Sequence, residues 1–500
     1  MTALPLAWLR VLVGVTYWFW ASGYLADDRW RVFFQQPRFL FKYAGLEWVQ
    51  PWPGDGMWWH FQLTRLAAVF FAIGFITPIS AAILAFSMAF VLVSERQIYN
   101  NHDYLLACVA LVSVFLPMAR QLSVDHWLRG NRGGPQAIRR WQWWLVRFQL
   151  GLPYAFGAIA KLDQDWLRGL PTELWVRSRV DTPLIGSVMA LPHMNLFIAW
   201  GGLLFDALII PGLYFRRTRS FAITAALVFH LTNATIFTIG VFPWFMLATM
   251  WVFFSSNAIS NFTYRISSLV QRRLGIANAD VVRVDRPTRV VAAIGPRHLA
   301  GVVLAFVYVT VQLLLPVRPW LLPGNASWNE RGQRFSWRMM LRHKDCLTWF
   351  RIETGDDHLF VPANFVMTPN QLRRAPRDPE LVRQAAVQLR SMAQSIGVSN
   401  ANVYALHLVS LNGRRPKCLV DPDKELTRAK RGWWSDDWVK QDPGPPKKPP
   451  YRQPFDRWWQ DVDPPPRFVD LMTMRPSEAQ RLFDQLIASQ QSDASADDER

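Results

Sequence analysis

Apolar residues crowd nine runs in the first part of the chain, at 6–25, 61–76, 79–94, 104–118, 144–160, 196–214, 221–239, 241–254 and 299–316. No such run follows residue 320. A helix that crosses a bilayer needs roughly 20 mainly apolar residues, so the shorter runs predict spans that recruit flanking residues or tilt. The pattern then changes. Residues 334–365 hold alternating apolar stretches broken by Thr354-Gly355-Asp356-Asp357, which predicts a β-hairpin. Residues 378–396 carry apolar residues at helical spacing behind an acidic start, which predicts a helix. Residues 402–420 predict two strands joined at Asn412-Gly413. Residues 425–466 are rich in Trp, Lys and Pro and predict extended or poorly ordered chain, followed by a short helix at 476–489 and a polar tail. The expected fold class is a polytopic α-helical membrane domain of about nine spans (1–317), then a small α+β domain (318–424) and an extension (425–500).

Charge refines this picture. The net charge of +18 invites a nucleic-acid partner, but the arginines sit in short loops between apolar runs, which argues against one. Arg120, Arg129, Arg132, Arg139 and Arg140 share one loop, and Arg216, Arg217 and Arg219 a second. Arg265, Arg272, Arg273, Arg283, Arg286, Arg289 and Arg297 share a third. Positive loops stay in the cytoplasm. With a cytoplasmic N-terminus and nine alternating spans, all three loops fall inside, and segments 95–103, 162–195 and everything after about 318 fall outside. The first run ends in Ala21-Ser22-Gly23, small enough for signal cleavage, but the bulky Tyr17-Trp18-Phe19-Trp20 and the later spans favour a retained helix.

The three cysteines add little. Cys108 lies in a span, whereas Cys346 and Cys418 lie on predicted strands outside the membrane, where a disulfide between them is expected. No C-x-x-C, H-E-x-x-H or Gly-rich phosphate loop is present, so neither a metal nor a nucleotide is expected.

Three constellations could carry chemistry. Only two lysines occur in the first 300 residues, Lys42 and Lys161, and Lys161 ends an apolar helix just before Asp163 and Asp165. It could snorkel to headgroups or pair with one of those carboxylates. It could also be a base, because desolvation favours a neutral amine and a neutral amine takes a proton where arginine cannot. Asn100, Asn101, His102 and Asp103 form a second polar cluster, at the outer start of a span. They read as a helix cap or, on the same membrane face as Lys161, as part of its pocket. His230 and Asn233, three apart within another span, share a helix face and either join helices or line a site.

These stretches, with "FKYAGLEWVQPWP", "NNHDYLL", "LSVDHWL", "RFQLGLPYAFGAIAKLDQDWLRG" and "FHLTNATIFTIGVFPWFML", resemble the vitamin K-dependent gamma-carboxylase family. Bacterial members carry the same membrane module, the HTTM domain. The resemblance continues in "VQLLLPVRPWLLPGNASWNERGQRFSWRMMLRHK" and covers roughly residues 1–420. It implies a membrane enzyme that uses reduced vitamin K or a menaquinol, with O2 and CO2 as co-substrates and no metal. The quinol is deprotonated and oxygenated, the resulting strong base removes a γ-proton from a glutamate in a peptide or protein, CO2 adds, and the quinone leaves as its epoxide. The resemblance implies that Lys161 is the first base, that His102 assists the carbanion step, and that His230 belongs to the functional core. Asn100, Asn101, Asp163, Asp165, Trp166, Asn233 and Trp337, in the same motifs, are candidate substrate-binding residues. Two alternatives stay open: a quinol oxygenase without carboxylation, and a non-catalytic membrane protein that uses the module for binding or assembly.

Overall fold

The computed structural model describes residues 3–130, 138–183, 185–236, 240–254, 256–274 and 296–430, with further stretches between 432 and 473. The expected helix at 476–489, and Arg132, Arg283, Arg286 and Arg289 of the arginine loops, lie outside these residues. The chain divides into two compact units that are not consecutive in sequence. One comprises Met1–Phe34, Lys42–Ile159 and Gly202–Pro316; the other comprises Gln35–Phe41, Ala160–Gly201 and Val317–Arg500.

The first unit is helical. Each of the nine apolar runs forms a helix over most of its length. Among the described residues, four helical stretches are long and apolar enough to cross a membrane: Leu4–Phe34, Thr77–Ser94, Met194–Tyr214 and His298–Leu321. Asn101–Phe115 and Phe242–Phe253 are apolar but shorter. Arg140–Ala160 is long but carries Arg140, Gln142, Arg147 and Gln149 in its first half. Length and composition thus support four spans by themselves, not nine. Part of the third arginine loop is itself a helix, Ser256–Leu274, with Arg272 and Arg273 in its last turn.

Small residues let the first helices approach closely. A Cβ on Gly14 would lie 2.6 Å from the Ala68 carbonyl oxygen and 2.7 Å from the Ala72 Cβ, so only glycine fits there. Arg10 is fully buried within an apolar run. It donates to the carbonyls of Ala72 (3.2 Å), Met118 (3.0 Å), Gln121 (3.4 Å) and Leu122. Carbonyls at or just past helix C-termini have no intrahelical partner, and one guanidinium serves several of them here. Asp125 does the opposite task. It accepts from the backbone N–H of Ile76 (2.8 Å) and Thr77 (3.0 Å) and caps the Thr77–Ser94 helix.

The second unit holds a four-stranded antiparallel sheet in the order β2-β1-β3-β4. Its strands are β1 (Lys344–Thr354), β2 (Asp357–Pro362), β3 (Asn402–Leu411) and β4 (Lys417–Cys418). The predicted hairpin turns at Gly355, φ +62°, and the second turns at Asn412 (φ 51°) and Gly413 (φ 75°). The predicted helix spans Pro379–Ser395, with Asp378 as its cap. Its buried Leu381, Ala385 and Leu389 pack in one core with Phe350 and Ala405 of the sheet. The opposite sheet face presents Trp349, Tyr404, Leu406 and Leu408, and packs with Trp458, Phe468 and Leu471. Described residues of the 425–466 segment include turns and an isolated bridge between Val420 and Val439, and two of its tryptophans are packed rather than loose: Trp438 is 1% exposed and Trp458 3%. Trp438 packs in the core on the helix side of the sheet, and Trp458 in the core on its other face.

Cys346 and Cys418 are free thiols, which corrects the expected disulfide. Cys346 on β1 opposes Val409 of β3, and Cys418 on β4 opposes Leu408. Val409 and Leu408 are adjacent on one strand, so the two cysteines point to opposite faces. Strand β3 also stands between them, which sets them about 10 Å apart; a disulfide needs Cα atoms within about 7 Å.

Candidate functional site

Two groups of motif residues emerge, one in each unit. In the helical unit, the Asn101–Phe115 helix starts with a built cap. The Asn100 side chain accepts from the Asp103 N–H (2.8 Å), and its amide donates to Asp103 Oδ2 (2.7 Å). Asn101 Oδ1 accepts from the Tyr99 hydroxyl at 3.0 Å. His102 follows on the first turn, and its ring stacks on Phe242 with centroids 3.9 Å apart. His230, in the Arg219–Ile236 helix, meets the same Phe242 ring edge-on at 6.4 Å. The two histidines, expected from separate motifs, therefore flank one phenyl ring.

His230 is 2% exposed, and its Nε2 lies 2.9 Å from the Tyr154 hydroxyl. The rings of Phe205 (5.9 Å) and Phe229 (5.3 Å) close around its imidazole. Asn233, one turn on, is half-buried. Tyr154 is a site neighbour that the motifs did not single out, although it precedes Lys161 by two helical turns. The donor set here is two imidazoles and a phenol among phenyl rings.

A further buried network in this unit was not expected. Trp52 Nε1 donates to His60 Nδ1 (3.3 Å), so the ring proton sits on Nε2, which faces Ser87 Oγ (2.9 Å). Ser87 in turn meets Thr64 Oγ1 at 2.6 Å. With that tautomer His60 cannot take the Ser87 proton, so the pair is no hydrolase dyad.

In the second unit, Lys161 follows the Arg140–Ala160 helix and is 6% exposed. Its ammonium lies 5.3 Å from the centre of the Trp166 ring, within cation–π range. Trp166 is fixed in turn. Its Nε1 donates to the Ala199 carbonyl (2.8 Å), and its ring packs with Ala160, Ala199 and Leu341. Asp163 caps the short helix Gln164–Leu167 by accepting from the Asp165 N–H at 2.9 Å. Burial first, and the Asp165 carboxylate second, push the Asp163 carboxyl above its usual range, with Arg338 acting against the shift.

Asp165 is held by residues far along the chain. Arg414 donates to both its oxygens, Nη1 to Oδ2 at 2.6 Å and Nη2 to Oδ1 at 3.1 Å. Asn412 Nδ2 adds a third bond at 2.8 Å. Trp337 is fully buried with φ 57°, next to Arg338, which bonds Gln333 and Ser327. No group of three or more metal-binding side chains occurs among the described residues.

A helical unit with candidate membrane spans, in a chain that also holds a small antiparallel sheet, defines a membrane protein. The chain matches the HTTM domain over residues 2–257 and the lumenal domain of vitamin K-dependent gamma-carboxylase over residues 297–443. It belongs to the vitamin K-dependent gamma-carboxylase family. No solved structure matches it.

Proposed function

We propose that the protein is a quinol-dependent glutamyl carboxylase, with Lys161 as the base that takes the quinol proton. One observation carries this reading: the motif lysine is buried against the Trp166 indole, directly after the Arg140–Ala160 helix. Lysine can pass between its charged and neutral forms and so take a proton from the quinol, whereas a guanidinium stays charged and could not. When bound, reduced vitamin K or a menaquinol supplies, with O2, the driving force for removing an unactivated γ-proton. The chain's part is to bind, orient and keep dry. His102 and His230, on either side of Phe242, are the proposed groups that hold or move a proton at the glutamate γ-carbon. Tyr154 fixes the orientation of the His230 ring.

Asn101, Asn233, Asp163, Trp166 and Trp337 remain proposed substrate contacts. Asn100, in the cap with Asp103, and Asp165, in the pair with Arg414, are proposed to position rather than to bind. We also propose nine spans, a cytoplasmic N-terminus and an extracytoplasmic C-terminal domain. The arginine loops and the helical state of all nine runs support this.

The test is to incubate the purified protein in detergent with reduced quinone, O2, bicarbonate and a glutamate-containing peptide. Quinone epoxide, read by chromatography, and peptide heavier by one carboxyl group are expected together. Neither product would overturn the reading, and epoxide without carboxylated peptide would favour the oxygenase.

A further inference from the structure

We infer that the Asn412–Arg414 turn is a positioning element for Lys161, acting through Asp165 and the Trp166 indole; the inference rests on Lys161 being the reacting base. The turn joins β3 to β4, and both it and the Lys161 loop belong to the second unit.

The turn is itself held rigidly. Asn412 exchanges bonds with His343: its N–H donates to the His343 carbonyl (2.9 Å), and its Oδ1 accepts from the His343 N–H (2.8 Å). Arg414 Nε donates to the Gly444 carbonyl (2.8 Å) and Nη1 to the Leu411 carbonyl (3.1 Å), and the Ser410 hydroxyl donates to the Arg414 carbonyl (2.7 Å). A guanidinium anchored on one edge presents its remaining N–H groups as a fixed fork, which suits a carboxylate. Asp165 fills that fork.

Asp165 lies on a helix of only four residues, Gln164–Leu167, capped by Asp163. So short a helix has little stability of its own. Three bonds from the sheet turn therefore fix the rotation of this segment. The next residue, Trp166, supplies the ring on which the Lys161 ammonium rests. Loss of the fork frees Asp165 and shifts the backbone that carries Trp166 and, through the indole face, the amine. A buried polar network of this kind fixes geometry as well as stability.

The test uses the full-length protein with three substitutions. Arg414→Lys keeps the charge and removes the fork. Asn412→Gly suits the left-handed turn and removes one of the three bonds to Asp165, together with the bond from the His343 N–H. Arg467→Lys is the control, because it alters another carboxylate-bound arginine of the same unit, the one paired with Glu353. Two readouts are taken: epoxide formation per folded molecule, and acylation of Lys161 by a succinimidyl ester, measured by peptide mass spectrometry with Lys42 as internal reference. Displacing a reacting group by about 1 Å costs up to about 100-fold. Arg414→Lys should therefore lower the epoxide kcat by about 10- to 100-fold with the quinol KM within about twofold, and raise Lys161 acylation severalfold. Asn412→Gly should do the same to a smaller extent, and Arg467→Lys should change neither. Unchanged kcat and unchanged acylation in both turn variants would overturn the inference, as would equal effects from Arg467→Lys. If the unmutated protein makes no epoxide, the proposed reaction fails, and the acylation result alone decides whether the turn positions Lys161.

Discussion

Asp165 and Arg414, 249 residues apart, form a bidentate ion pair with side chains only 10% and 7% exposed. The pair ties the segment after the lysine helix to the turn of the sheet. Breaking a buried pair by removing one partner leaves an unpaired charge and costs about 3–5 kcal/mol. Arg414→Ala should lower the chemical denaturation free energy of the second unit by about that amount. Arg177→Ala, at the partly exposed Glu173 pair, should cost no more than about 1 kcal/mol. Equal small effects from both would mean that the Asp165 pair does not hold in solution.

His407 predicts a pH dependence. It is fully buried on β3, its Nδ1 lies 2.8 Å from the Thr348 hydroxyl, and burial first and the Lys344 ammonium second lower its pKa from 6.5 to about 3. The unfolded chain therefore binds more protons than the folded one between these values, and stability falls as pH falls through that window. Hydrogen exchange of the β3 amides should be faster, after correction for its intrinsic pH dependence, at pH 5 than at pH 7. In His407→Gln that difference should shrink. The Glu425 carboxyl, whose folded value lies below 4.5, contributes its own loss only at lower pH.

The cysteines make a chemical prediction. Burial raises the thiols of Cys346 and Cys418 to about 12 and about 11, so few thiolates exist at neutral pH. Both should react slowly with a thiol reagent in the native protein and quickly after denaturation without reductant. A disulfide-linked peptide pair in the unreduced digest would contradict the sheet register.

Local features were legible in the sequence and distant pairings were not. The Gly355 and Asn412-Gly413 turns and the Pro379–Ser395 helix follow from short-range rules, and the apolar runs announced their helices. The disulfide expectation failed because strand order is non-local: two cysteines on predicted strands say nothing of a third strand between them. Arg10 sits in an apolar run and bonds backbone carbonyls, which carry no sequence signature. Asn412 was legible as a turn residue, but its bond to Asp165 spans 247 positions. His102 and His230 were legible as candidates, whereas Phe242 between them and Tyr154 beside His230 emerge only in the fold.

Topology can be tested independently of chemistry. A reporter active only in the cytoplasm, fused after residue 420, should be silent, and an extracytoplasmic reporter at the same point should be active. The reverse pattern would place the second unit, with Lys161, on the cytoplasmic side and would end the nine-span proposal.

The most direct measurement of the central claim is epoxide formation per mole of folded enzyme in Lys161→Ala and Lys161→Arg. Both should form none, because neither side chain offers a neutral amine to the quinol. A small added amine should partly restore Lys161→Ala. Normal epoxide output from folded Lys161→Ala protein would show that Lys161 is a structural lysine resting on Trp166 and that the proton goes elsewhere.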